Sequence, residues 1–130
     1  MAVIAHPEIS VSGLSIAELR RVFLGDRLFW GEDLRVTLLV PPPRSREREA
    51  LLGSIYQMSE AQYRHYWIAK VFRTEATAPP KVVSSPGMAV ELVLAIPGAV
   101  ALVEAGRMPA GVKVLQIEGK RPGDAGYPLR

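Results

Sequence analysis

At 130 residues the chain has the length of one compact domain with a real core, and its lack of cysteine excludes thiol catalysis, disulfides and cysteine metal sites. A hydrophobic fraction of 48% and a charged fraction of 22% exclude a disordered or coiled-coil class. The formal charge of +3 permits an anionic partner, but Arg20-Arg21, the arginines from Arg44 to Arg48, and Lys120-Arg121 are scattered among acids, so no nucleic-acid stripe is expected.

In chain order, Ala2–Ala5 reads as a first strand stopped by His6 and Pro7, with His6 making a structural hydrogen bond at its end. Ser15 and Glu18 form a capping box, and Ile16, Leu19, Val22 and Phe23 mark the buried face of the helix behind it. Gly25 is the expected left-handed C-cap, and Trp30 is expected to pack back onto the sheet. Glu32-Asp33 reads as a solvated turn. Residues 36–40 form a continuous run of β-formers, the pattern of a strand covered on both faces. Pro41, Pro42 and Pro43 end it, because proline has no N–H to continue a ladder.

Ser45 then caps a helix whose apolar residues are Leu51, Leu52, Ile55 and Tyr56. A helix N-terminus at the end of a strand offers unpaired N–H groups and a positive dipole end, both favourable to an anion. Arg44, Arg46 and Arg48 crowd the same point, an unfavourable arrangement unless water, Glu47 and Glu49, or a bound anion offsets it. Two readings stay open: an oxyanion site, or an N-cap beside arginines that are solvated or paired with those glutamates.

Ser59 and Gln62 make a second capping box, with Tyr63, Trp67 and Val71 on one helical face, Tyr66 and Phe72 widening it, and His65 on the polar side. Residues 81–83 suit a short extended segment. Ser85-Pro86 starts a helix with Met88, Leu92, Ala95 and Ile96 as its apolar face, ended by Pro97-Gly98. Residues 99–103 and 112–117 read as two further strands, with a loop over 106–111 between them. The glycine- and proline-rich tail is expected to be irregular and anchored by Tyr127 and Leu129. The order of elements predicts an α/β domain over residues 1–130 with a mixed sheet.

Neither His6 nor His65 sits in a nucleophile motif, and no glycine-rich phosphate loop or cluster with metal-ligand spacing occurs, so no enzyme, cofactor or metal is expected. The most apolar stretch, residues 88–103, is broken by Glu91, Pro97 and Gly98, so membrane insertion is not expected. No signal peptide is visible in the sequence as given.

The helix-ending Phe23-x-Gly25 followed by Trp30, the Tyr66-Trp67 pair before Phe72, the strand start Pro97-Gly98-Ala99 and the ending Tyr127-Pro128-Leu129 in GYPLR resemble, in this order, the substrate-binding proteins of phosphate ABC transporters. That resemblance implies a type 2 periplasmic binding protein fold, here a single lobe with a mixed sheet of about four to five strands flanked by helices. Full-length members of the family have two lobes that close over phosphate about a hinge, and an arginine with a following Ser-Gly-Thr at a helix start holds the anion. Here the matching region is Arg44-Ser45-Arg46, with Ser45 in the serine's part, Arg44 or Arg48 in the arginine's, and no Gly-Thr. The resemblance thus implies phosphate or a similar oxyanion at Arg44, Ser45, Arg46 and Arg48, and a periplasmic or extracytoplasmic location. The alternative is a lobe without a small-molecule ligand that serves as an interaction module, pairing with itself, a transporter or another protein.

Overall fold

A computed structural model describes residues 1–31, 33–107 and 111–129. The tip of the 106–111 loop, Glu32 of the expected turn, and Arg130 of the GYPLR motif lie outside the described residues.

Helices begin where the sequence sets a serine before an apolar run. Ser15 caps α1 (Ile16–Phe23), its hydroxyl accepting from the Glu18 N–H while the Glu18 carboxylate accepts from the Ser15 N–H. Ser45 caps α2 (Arg46–Ala50) by accepting from the Arg48 N–H at 3.0 Å. That helix then widens into a π-turn over Leu51–Tyr56, which buries Leu51, Ile55 and Tyr56 and stops at Gln57 in the left-handed conformation. Ser59 and Gln62 repeat the capping box on α3 (Glu60–Phe72), and Ser85 caps α4 (Pro86–Ala95) with Pro86 at its first position.

Five strands build the main sheet: β1 (Ala2–Ala5), β3 (Thr37–Val40), β4 (Lys81–Val82), β5 (Ala99–Val103) and β6 (Lys113–Val114), in the order β4-β3-β5-β1-β6. β3 is parallel to β4 and β5, while β1 runs antiparallel to β5 and β6. Alternate side chains enter two different cores, as a pleated sheet covered on both sides requires. Ala2, Ile4, Leu39, Ala99, Ala101 and Val103 pack with Ala89 and Val93 of α4. Val3, Ala5, Val40, Val100 and Leu102 pack with α1, the π-turn and α3 on the opposite face.

The stretch 112–117 departs from the single strand expected of it. It forms β6 and then β7 (Gln116–Ile117), which pairs in parallel with β2 (Gly13–Leu14) as a separate two-stranded sheet. Leu115, fully buried at the break, donates its N–H to the Val3 carbonyl at 2.9 Å and carries the chain from one sheet to the other. The buried face of α4 is Ala89 and Val93, with Met88, Leu92 and Ile96 only half-buried and Ala95 exposed. A helix apolar on nearly every side leaves the periodicity no means of choosing its face. Phe72, expected within the apolar face of α3, is 87% exposed at the helix end.

Several of the residues that carry the family resemblance, though not Phe72, meet in space as scaffold. Gly25 has φ +79, and a Cβ there would stand 2.8 Å from the Trp67 ring. Tyr66 donates to the Leu24 carbonyl at 2.6 Å, and the buried Tyr56 hydroxyl donates to the Phe23 carbonyl. His6 accepts from the Glu8 N–H at 3.0 Å, the structural bond expected at the end of β1. Trp30, 4% exposed, donates its indole N–H to the Gly98 carbonyl at 2.8 Å. Trp30→Phe removes that buried bond and leaves a void. It is expected to destabilise the fold by about 2 kcal/mol, read from the urea midpoint at unchanged m-value.

Candidate functional site

Because β3, β4 and β5 are parallel, Val40, Val82 and Val103 end on the same edge of the sheet. From β3 the chain leaves for the outer strand β4, whereas from β5 it leaves for β6 on the other side of β1. Connections that diverge from adjacent parallel strands open a crevice beyond their carboxyl ends, the usual location of a ligand in open α/β sheets. Pro41, Pro42 and Pro43 carry the chain out of β3 past this edge, and Ser45 starts α2 there.

The four residues named from the sequence divide. Ser45 is half-buried; its hydroxyl donates to the Pro42 carbonyl at 2.8 Å while accepting from the Arg48 N–H, so it is fully used as a cap. Arg44 is exposed and sits at φ +72, a left-handed conformation uncommon for a residue with a side chain. Arg46 reaches toward the end of β5, its guanidinium 3.3 Å from the Glu104 carboxylate and its side chain 83% exposed. The N–H groups of Arg46 and Glu47 have no partner among the described residues. These are the orphan donors that any helix start leaves.

Arg48 corrects the expectation of three converging guanidinium groups. Its side chain is 5% exposed, its Nε and Nη2 donating to the two Glu60 carboxylate oxygens at 2.8 and 3.1 Å. Nη1 donates to the Pro41 carbonyl at 2.8 Å, and the guanidinium lies 4.5 Å over the Tyr63 ring. The Arg48 bonds hold the Glu60 carboxyl below its ordinary range against a smaller opposing effect of burial. Burial pushes the Tyr63 hydroxyl up to about 12, although the Arg48 charge works against it. This forked pair ties the start of α3 to the turn after β3 and fixes the direction in which α2 leaves the sheet. The sequence carried the signal: Arg46 and Arg48, two residues apart, lie about 200° apart around a helix, so they cannot both face one spot.

A second ion pair holds the other end of α3. The Lys70 ammonium, 7% exposed, bonds the Asp26 carboxylate at 2.8 Å. Burial lowers its pKa, but Asp26 and the Tyr66 hydroxyl together outweigh that and leave it raised.

The sequence matches no family model and no curated protein. Solved structures do match. A protein assigned as a phosphate ABC transporter substrate-binding protein from Clostridium perfringens, with phosphate bound, superposes at a TM-score of 0.73 and 16% identity, over 92% of this chain and 45% of that one. An ABC-type phosphate transport receptor from Vibrio cholerae gives 0.74 and 20%, over 93% and 47%. PstS from Borrelia burgdorferi gives 0.70 and 18%, over 93% and 48%. The chain spans about half the length of each of these structures. Over that half, it has the fold of the phosphate ABC transporter substrate-binding proteins.

Proposed function

We propose that this is a solute-binding domain that takes phosphate or a similar oxyanion at the start of α2. The observation that carries the reading is the pair of unpartnered N–H groups of Arg46 and Glu47, set beyond the carboxyl ends of β3 and β5, where connections diverge. Arg44 and Arg46 flank them, and Arg46 is held only by an exposed ion pair to Glu104, which is worth little and is readily exchanged for a ligand. The binding of phosphate by the Clostridium perfringens protein supports the same ligand class. Arg48 acts in this reading as a positioning residue, and the Ser45 hydroxyl keeps the first turn in place. Glu47 and Glu104 lie beside the anion and there is no Gly-Thr, so affinity is expected in the millimolar range. An extracytoplasmic location accords with this role, and among the described residues no helix is long and apolar enough to cross a membrane.

Arg44→Gly separates ligand from scaffold. Glycine relieves the left-handed strain, so the variant is expected to gain roughly 0.5–1 kcal/mol in denaturant unfolding. The same variant is expected to bind phosphate about two- to fivefold more weakly by isothermal titration, the effect of losing one exposed charge. Unchanged affinity in both Arg44→Gly and Arg46→Ala, or no heat at millimolar phosphate with the native chain, overturns the proposal.

A further inference from the structure

At the opposite edge of the sheet lies a cavity of about 270 Å³ that the oxyanion reading does not use. Arg27, Arg35 and Lys81 line it, no carboxylate does, and its apolar wall comes from Val22, Leu28 and Trp67. None of the three cations is in an ion pair among the described residues. Arg27 is fixed by bonds to the Phe29 and Trp30 carbonyls at 3.1 and 3.2 Å, and Arg35 lies 5.8 Å over the Phe29 ring. Arg27 interacts with the nearby Glu18 charge, while Arg35 and Lys81 are exposed and no carboxylate lines the cavity, an excess of cations that favours an anion.

Trp67 and Pro79 also line a second, almost wholly apolar groove of about 490 Å³ along α3, with Ile68, Val71 and Phe72. Ile68 is 69% and Phe72 87% exposed there. The Cη2–Cζ3 edge of the Trp67 ring faces Gly25 of the cavity, and the same side chain lines the groove, so the two spaces adjoin at Trp67. We infer that the cavity and groove together bind an amphipathic carboxylate, a medium-chain fatty acid anion. Its head lies among Arg27, Arg35 and Lys81, and its tail runs past Trp67 along Ile68 and Phe72. The charge of the cavity selects the head, and the apolar groove accounts for a tail that free phosphate lacks.

The test is tryptophan fluorescence during titration with decanoate below its micelle concentration. A saturable change is expected with decanoate, roughly tenfold weaker with octanoate because two methylenes fewer are buried, and none with decyltrimethylammonium. The exposed double substitution Arg35→Gln with Lys81→Gln, and separately Phe72→Ser, are each expected to weaken decanoate about tenfold with the circular dichroism spectrum unchanged. Equal binding of the cationic amphiphile, or unaltered affinity in the double variant, overturns the inference. So does light scattering that finds a dimer dispersed by Phe72→Ser and untouched by decanoate, which would assign the groove to a second copy of the chain.

Discussion

Arg48→Ala is expected to destabilise the protein by about 2–3 kcal/mol, more than either neighbouring arginine, because it leaves a void and a buried carbonyl without its donor, while the 38% exposed Glu60 carboxylate returns to water. The Pro41 carbonyl loses its donor, the Tyr63 ring loses its cation, and Glu60 is left without the bonds that hold its carboxyl low. Arg48→Met keeps the volume and is expected to fall between the native protein and Arg48→Ala. The pair also fixes a pH dependence. A carboxyl whose pKa is depressed on folding contributes stability above its ordinary range, and that contribution disappears as the pH falls through the lowered folded value. The native protein should therefore lose stability in acid more steeply than Arg48→Met, in urea melts compared at neutral pH and below the carboxylate range. Equal acid sensitivity in the two proteins would show that the Glu60 pair contributes nothing measurable.

Gly98→Ala is expected to be the most damaging single change of a small residue. A Cβ at this position would lie 2.0 Å from the Arg35 carbonyl oxygen, and the backbone is at φ +88. Rigid backbone blocks the methyl, and the left-handed conformation adds its own strain, so a loss above about 4 kcal/mol or failure to fold is expected. Gly53→Ala is the matched control, since a Cβ there meets nothing within 4 Å and no left-handed φ is involved. It should be neutral or stabilise by roughly 0.5–1 kcal/mol. Thermal unfolding of the two variants side by side checks both.

These two sites explain what the sequence made legible. Gly98, Trp30, Gly25 and Trp67 are recognisable because close packing restricts each of them to one residue type, and the motifs that resemble the binding proteins are largely these contacts. The capping boxes at Ser15 and Ser59 were readable because both halves of each reciprocal bond lie within three residues. Strands of two residues such as β2 and β7 have no period to detect, so the second sheet was invisible and the break at Leu115 with it. At the site, the strand end, proline turn and serine cap are all local signals, and the structure has β3 ending at Val40 and Ser45 capping α2. The fate of Arg48 depends on Glu60 and Tyr63, twelve or more residues away and on another helix, and only the helical period hinted at it.

The most direct test of the oxyanion reading is a phosphate titration followed by amide chemical shifts on the uniformly labelled protein. The account predicts that the Arg46 and Glu47 N–H signals move furthest and saturate together, while Arg48, whose amide is already bonded to Ser45, moves little. Saturating shifts confined to other residues, or no shift at Arg46 and Glu47 up to the solubility of phosphate, would contradict it.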